Sequence, residues 1–187
     1  MSQFEYIMVL ISLILGLGLT QLLFGVANLL TRWSNVKVYL PHAICIVVVF
    51  GLHVQEWWVN YIYSYAIETW HFSVFFSLLV YPIFLFIMAR LLFPLSLDAK
   101  IIDLKQFYLA NYRSFYFFGL LLVLTSIPKN ILLLDMAISD QANHALLASI
   151  ILIPVVIRTD KNWFHYGLSI MMFLTGLLYV LIFNPRL

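Results

Sequence analysis

Long apolar runs are the feature of this sequence that most restricts its fold. The first, FEYIMVLISLILGLGLTQLLFGVANLL at residues 4–30, contains one acidic and no basic residue. A helix crosses the roughly 30 Å of membrane hydrocarbon in about 20 residues, because it rises about 1.5 Å per residue. Six segments meet or approach this length, at residues 4–30, 41–65, 70–92, 107–127, 141–157 and 163–183. The sequence therefore predicts an all-α integral membrane bundle of about six transmembrane helices, folded as a single domain over residues 1–187.

The composition agrees with lipid as the main solvent and partner of the chain. Hydrophobic residues make up 64% of it and charged residues 10%, whereas a soluble domain contains about 25% charged residues. The formal net charge of +2 and the lack of a basic run argue against a nucleic-acid partner. Cys45 is the only cysteine, which excludes an intrachain disulfide and a multi-cysteine metal site. We expect neither a metal nor a cofactor.

Proline residues and charge patterns suggest where the helices end. Pro128 is predicted to end the fourth helix, although the alternative that this helix continues past a kink at Pro128 also fits the sequence. Between the third and fourth helices, SLDAKIIDLKQF alternates charged with apolar residues. This pattern is typical of a short helix lying in the membrane interface.

The positive charges predict the orientation of the bundle. Eight of the ten Lys and Arg residues lie in or beside the first, third and fifth loops: Arg32, Lys37, Arg90, Lys100, Lys105, Arg113, Arg158 and Lys161. Lys129 and Arg186 are assigned to the opposite side. Because positively charged loops stay in the cytoplasm, both termini are predicted to be periplasmic. The five tryptophans fall at the two predicted membrane boundaries, which supports the same topology.

The stretch GLHVQEWWVNYIY at residues 51–63 brings polar groups into the second predicted helix. His53, Glu56 and Asn60 share one face at helical spacing, whereas Gln55 points elsewhere. Because an ionisable group exposed to lipid costs several kcal/mol, this face is predicted to point into the protein. Two interpretations remain open. The face either forms an outward-facing cation or proton site built on His53 and Glu56, or it is a polar cluster bonded to neighbouring helices and water.

The first predicted helix carries small and polar residues on two faces. Its predicted helix-packing residues are Ser12, Gly16, Gly18 and Gly25, since small residues at such spacing let helix backbones approach closely. Gln21 and Asn28 are predicted to belong to a polar path near the inner leaflet, or else to serve packing as well. A helix with two such faces fits a central position or an oligomer contact.

Other polar residues have structural explanations. Ser2 and Glu5 match the S-x-x-E capping box. Arg90 and Arg113 lie about one turn inside the cytoplasmic boundary and are expected to extend their charged groups towards water. Enzyme signatures such as G-x-S-x-G, H-E-x-x-H and the P-loop are absent, so the sequence predicts a non-enzymatic protein.

Three stretches carry a resemblance to known proteins: FEYIMVLISLILGLGLTQLLFGVANLL, HVQEWW and YPIFLFIMARLLFP. With them the chain resembles a group of small uncharacterised bacterial polytopic inner-membrane proteins. The resemblance covers about the first half of the chain. It implies a location in the bacterial inner membrane and implies no activity.

These observations predict a small non-enzymatic, homo-oligomeric channel or carrier. Its predicted polar path uses Gln21, Asn28, His53, Glu56 and Asn60. The main alternative is a membrane subunit or effector that acts through a protein partner. A lesser alternative is a b-type haem cytochrome, because His42 and His53 share a helix face and histidine is a common axial ligand of haem.

Overall fold

The computed structural model of this chain describes residues 2–95 and 100–182, with side chains through residue 178. The helices in these residues are α1 (Gln3–Thr31), α2 (Leu40–Val59), α3 (Tyr63–Ala66), α4 (Phe72–Leu91), α5 (Leu104–Leu134), α6 (Ala142–Val156) and α7 (Asn162–Ile182). Two-residue strands lie at β1 (Val36–Lys37) and β2 (Ile102–Asp103), and short 3-10 turns at Trp33–Asn35 and Ile138–Gln141. The predicted capping box of Ser2 and Glu5 is present at the start of α1.

The predicted all-α membrane fold is confirmed, since the chain is 83% helical. Five helical segments of the described residues are long and apolar enough to cross a membrane: Gln3–Thr31, Leu40–Ala66, Phe72–Leu91, Leu104–Leu134 and Ile138–Val156. The sixth predicted helix corresponds to α7, and its predicted last residue, 183, lies outside the described residues. Large apolar side chains on the outer faces of these helices are exposed, and they contact lipid.

The predicted end of the fourth helix at Pro128 is wrong. α5 begins after Asp103, whose carboxylate accepts two backbone N–H hydrogen bonds at 3.0 Å. It then continues through Pro128 to Leu134. Proline is tolerated inside a transmembrane helix because side chains and local backbone adjustments satisfy the group that it leaves without a hydrogen bond. Lys129, which the sequence prediction placed in an outer loop, therefore lies within a membrane-spanning helix.

The predicted interfacial helix between the third and fourth helices does not form in the described part of that segment. Residues 96–99 of it lie outside the described residues, and Ile102–Asp103 form β2, which pairs with β1 in parallel. Ile102 is buried, so the chain enters the protein here instead of lying on the membrane surface. Because β1 leads into α2 and β2 leads into α5, the pairing fixes the starts of both helices at one end of the bundle.

The connection between α6 and α7 reaches this same end. The Thr159 backbone N–H donates to Tyr112 Oη at 3.1 Å, in the first half of α5. Arg113, which was expected to extend towards water, donates to the Val155 carbonyl through Nη2 at 2.9 Å. The three loops that carry most of the positive charge thus meet at one end, which we call the basic end. Within the bundle, α4 packs on α1 and α5, α5 also packs on α6, and α2 packs on α7.

The small residues of α1 separate into a buried pair and an exposed pair. Gly18 and Gly25 are buried, and a methyl group at either position would overlap with the ring of His53 or Phe93, respectively. The remaining two, Ser12 and Gly16, are exposed. Among the described residues, no other segment has a heavy atom within 4 Å of where a Cβ atom of Gly16 would lie. One predicted face of α1 therefore packs within the chain, and the other is left open.

Replacing Gly18 with alanine is expected to lower the melting temperature of the purified protein in detergent. The new methyl group would lie 2.8 Å from His53 Cδ2, so the ring or the helix would have to move. Such overpacking costs about 1–3 kcal/mol, more than the roughly 1 kcal/mol that alanine gains over glycine in a helix. Gly16→Ala is the matched control and is expected to leave the melting temperature unchanged or raise it. Equal melting temperatures of the two variants would contradict the packing described for α1.

Candidate functional site

Glu56 on α2 and Lys129 on α5 form an ion pair in the protein interior. Lys129 Nζ lies 3.0 Å from Glu56 Oε1 and 3.3 Å from Oε2, and each side chain is only 5% exposed. Both residues belong to membrane-spanning segments. Ionisable residues inside a membrane are costly, and those that occur usually serve ion pathways, proton relays or ligand binding. The ion pair is therefore the strongest functional candidate in the described residues.

Two tyrosine rings adjoin the Lys129 ammonium group. Its Nζ atom lies 4.3 Å from the ring centroid of Tyr81 and 5.6 Å from that of Tyr63. The face of an aromatic ring is electronegative and stabilises a cation that has lost its water. Tyr63 comes from α3 and Tyr81 from α4. Glu56, Tyr63 and Tyr81 come from α2, α3 and α4, so three helices contact the Lys129 ammonium group of α5.

Asn60, the residue that directly follows α2, adds a buried amide group one turn after Glu56. Neither its Oδ1 nor its Nδ2 atom forms a hydrogen bond within the described part of the chain. Leaving a buried polar group without a partner costs about 1–3 kcal/mol. Beside Lys129 in the chain, Asn130 donates to Gln141 Oε1 at 3.2 Å, and the buried Gln141 Nε2 likewise has no partner among the described residues. Uncommitted amide groups of this kind can bind water or a solute.

His53 lies one turn before Glu56 and is fully buried. Its Nδ1 atom is 2.8 Å from the Val49 carbonyl oxygen. Since a carbonyl oxygen only accepts, Nδ1 carries the proton, and in the neutral ring Nε2 is an acceptor. This Nε2 atom lies against Gly18 of α1 and has no hydrogen-bond partner among the described residues. The structure thus places His53 and Glu56 on the interior face of α2, and the equally buried Asn60 directly after its last residue, Val59.

The structure places Gln21 and Asn28 elsewhere. Both line a cleft of about 230 Å³ between the second half of α1 and the end of α4, together with Arg90. Arg90 is half-buried, and its Nη1 atom donates to the Phe93 carbonyl at 3.3 Å. The five residues predicted to form one polar path therefore divide between two places. Three lie on or directly after α2, and two lie in this cleft, which we call the Arg90 cleft.

A haem does not fit between the histidines. His53 Nε2, the atom that would bind iron, already lies so close to Gly18 that even a methyl group there would overlap the ring. His42 Nε2 lies 2.7 Å from the Leu92 carbonyl oxygen and so donates its proton to it. Within the described residues, no group of three or more His, Cys, Asp or Glu side chains could hold a metal ion.

Lys129 is the residue that the sequence prediction missed. Pro128 was interpreted as a helix end, and this assigned the lysine to an outer loop. The signal was present in the alternative that continues the helix past Pro128, because a lysine inside a membrane requires a carboxylate partner. Glu56 lies well inside the second predicted helix, at residues 41–65, so the sequence already offered it as the carboxylate partner for Lys129.

Breaking the ion pair from one side is expected to destabilise the protein strongly. Lys129→Met leaves the Glu56 carboxylate buried without its counterion, which typically costs about 3–5 kcal/mol. The double variant Glu56→Leu with Lys129→Met removes both charges and is expected to recover most of that loss, because a buried ion pair and apolar side chains often give similar stability. Thermal unfolding in detergent measures both effects. A double variant that is as unstable as the single one would mean that the two charges do not compensate each other.

No protein family, curated protein or solved structure matches this chain significantly. The assignment of the site therefore rests on the chemistry of its own residues. These residues establish a helical membrane protein with a buried Glu56–Lys129 ion pair in its spans and a separate cleft near its basic end.

Proposed function

We propose that this protein is a small carrier of protons or monovalent cations, with Glu56 as the ligand of the transported ion. The observation that supports this function is the buried Glu56–Lys129 ion pair. A charged pair is a poor way to stabilise a membrane helix bundle, because apolar side chains of similar size would serve as well without desolvating two ions. A transport function explains why a carboxylate is kept at this position.

The position of Lys129 favours a carrier over an open channel. Its ammonium group lies 3.0 Å from the Glu56 carboxylate, where a transported cation would bind. A cation can take this position only when Lys129 moves away or releases its proton. Ion entry is therefore coupled to a change at Lys129, and such coupling is typical of exchange rather than free conduction.

Two further polar groups flank Glu56 along the chain. Asn60 has an amide oxygen without a partner among the described residues, one turn after the carboxylate, whereas His53 Nε2, one turn before it, lies against Gly18 and accepts a proton only when α1 or the ring moves. Oxygen ligands suit hard cations, and a neutral imidazole suits a proton. We leave Gln21 and Asn28 out of this path, because the Arg90 guanidinium beside them repels cations.

The transport function can be tested in proteoliposomes that contain a pH-sensitive dye. An imposed Na⁺ or K⁺ gradient is expected to drive proton movement in the opposite direction, at a rate above that of protein-free vesicles. Glu56→Gln is expected to slow this exchange at least about tenfold, since a hydrogen bond or ion contact to a carboxylate is worth about 1.5–3 kcal/mol.

Two control variants separate transport from folding. Glu56→Gln combined with Lys129→Gln removes both charges and is expected to fold, yet to remain inactive. Glu68→Gln changes an exposed carboxylate between α3 and α4 and is expected to transport like the unmodified protein. The proposal is wrong if the unmodified protein moves none of the three ions, or if Glu56→Gln moves them at an undiminished rate.

A second candidate function is a membrane subunit or effector that acts through a different protein as its partner. The exposed Ser12 and Gly16 face of α1 supports it, because small residues allow a second helix to approach closely. Purification from native membranes distinguishes the candidates. A stoichiometric second protein supports the subunit, whereas a homo-oligomer that exchanges cations supports the carrier. The location in a bacterial inner membrane, with the basic end in the cytoplasm, stays a prediction.

A further inference from the structure

We propose that the Arg90 cleft binds the phosphate group of an anionic phospholipid. Nothing in the cation-carrier function requires this site, and the proposal goes beyond that function. It rests on three features of the cleft, which are its hydrogen-bond donors, its depth in the membrane and its apolar border.

The cleft gathers donors suited to a phosphate oxygen. Arg90 contributes a guanidinium group, and Gln21 and Asn28 contribute side-chain amides. Of the five N–H donors of Arg90, the described residues engage one, through the bond from Nη1 to the Phe93 carbonyl. None of the described residues that line the cleft is a carboxylate, so within the described part of the chain Arg90 has no acidic partner there. Arginine with free N–H groups is the preferred side chain for bidentate phosphate recognition.

The end of the cleft that holds Arg90 and Asn28 lies at the depth of lipid headgroups, whereas Gln21 lies about 15 Å along α1 from its last residue, Thr31, at about 1.5 Å per residue. Arg90 lies in the last turn of α4, which ends at Leu91, and Asn28 lies in the last turn of α1, which ends at Thr31. Both helix ends belong to the basic end of the bundle, where the β1–β2 pair joins the following segments. A phosphate at this level keeps its charge near water while its acyl chains extend along the helices. Basic pockets between transmembrane helices are known to bind anionic headgroups in this way.

The border of the cleft is apolar and open to lipid. Phe24 is 64% exposed and Leu95 is 91% exposed, and both line the cleft next to its polar groups. A polar floor with an apolar, lipid-facing border fits a molecule with a charged head and hydrocarbon tails. Free inorganic phosphate shares the head chemistry but would gain nothing from this border.

The packing of α1 explains why the cleft has this shape. Gly25 lets the Phe93 ring lie directly against the α1 backbone. The main chain at Phe93 is thereby held near α1, and its carbonyl orients Arg90. Gln21 and Asn28 flank Gly25 along the helix, on the side that meets α4. Gly25 therefore contributes no hydrogen-bond donor to the cleft, but its small size positions the side chains that do.

The test uses the purified full-length protein in detergent, with phosphatidylglycerol, phosphatidylcholine and inorganic phosphate as probes. Native mass spectrometry counts bound lipids, and titration gives the dissociation constants. Arg90→Gln is expected to weaken phosphatidylglycerol binding about fivefold, the effect of one basic side chain near a charged headgroup. Arg158→Gln removes an exposed cation from the same end and is expected to change binding by less than about twofold.

A second variant keeps the test valid if Arg90→Gln does not fold. Gln21→Leu combined with Asn28→Leu leaves the charge and the Phe93 contact in place, and it is expected to weaken phosphatidylglycerol binding about threefold or more through the lost amide donors. Equal binding by the unmodified protein and by both of these variants would overturn the proposal. Displacement of phosphatidylglycerol by millimolar inorganic phosphate would assign the site to free phosphate and overturn the role of a lipid.

Discussion

The desolvation of one lysine is the constraint on which the rest of this structure depends. Lys129 lies in a membrane-spanning helix, and its charge has to be matched by protein groups because lipid cannot solvate it. Glu56 supplies the opposite charge, and Tyr63 and Tyr81 supply ring faces. These groups come from α2, α3 and α4. The packing of these three helices around α5 and the charge of the Lys129 ammonium group therefore depend on each other. Any event that neutralises this ammonium would weaken contacts with three helices at once.

The helices follow from the sequence because each apolar run has the length that the membrane requires and the helical period exposes its apolar side chains to lipid. The interior is harder to predict. The face with His53, Glu56 and Asn60 could be derived from spacing alone, because those residues share one helix. Lys129, the partner of Glu56, could not be derived in this way. It lies 73 positions away in the sequence, and the sequence prediction ended its helix too early, at Pro128. Proline stops a helix reliably in water, but a membrane interior gives the backbone no alternative partner, so the helix continues.

The two polar regions illustrate a similar limit. Gln21 and Asn28 resemble the residues of α2 in composition, and periodicity alone offers no reason to separate them. The difference between the two groups arises from Arg90. The sequence assigns Arg90 only to the membrane boundary, but the packing of Phe93 against Gly25 directs its side chain into the cleft beside Gln21 and Asn28. Long-range contacts of single side chains, rather than the helix pattern, therefore decide what each polar group can bind.

The position of the two-residue strands β1 and β2 has a mechanical consequence for the ion pair. β1 comes just before α2 and β2 just before α5, so the two helices that share the ion pair are tied together by their backbones at the opposite end. Glu56 is 16 residues from the start of α2, a lever arm of about 24 Å at about 1.5 Å per residue. Rotating α2 by about 5° around the tied end would shift Glu56 by roughly 2 Å, enough to break a hydrogen bond of ordinary length. A small hinge motion at the strands would thus be amplified into the opening or closing of a charged contact far along the helix.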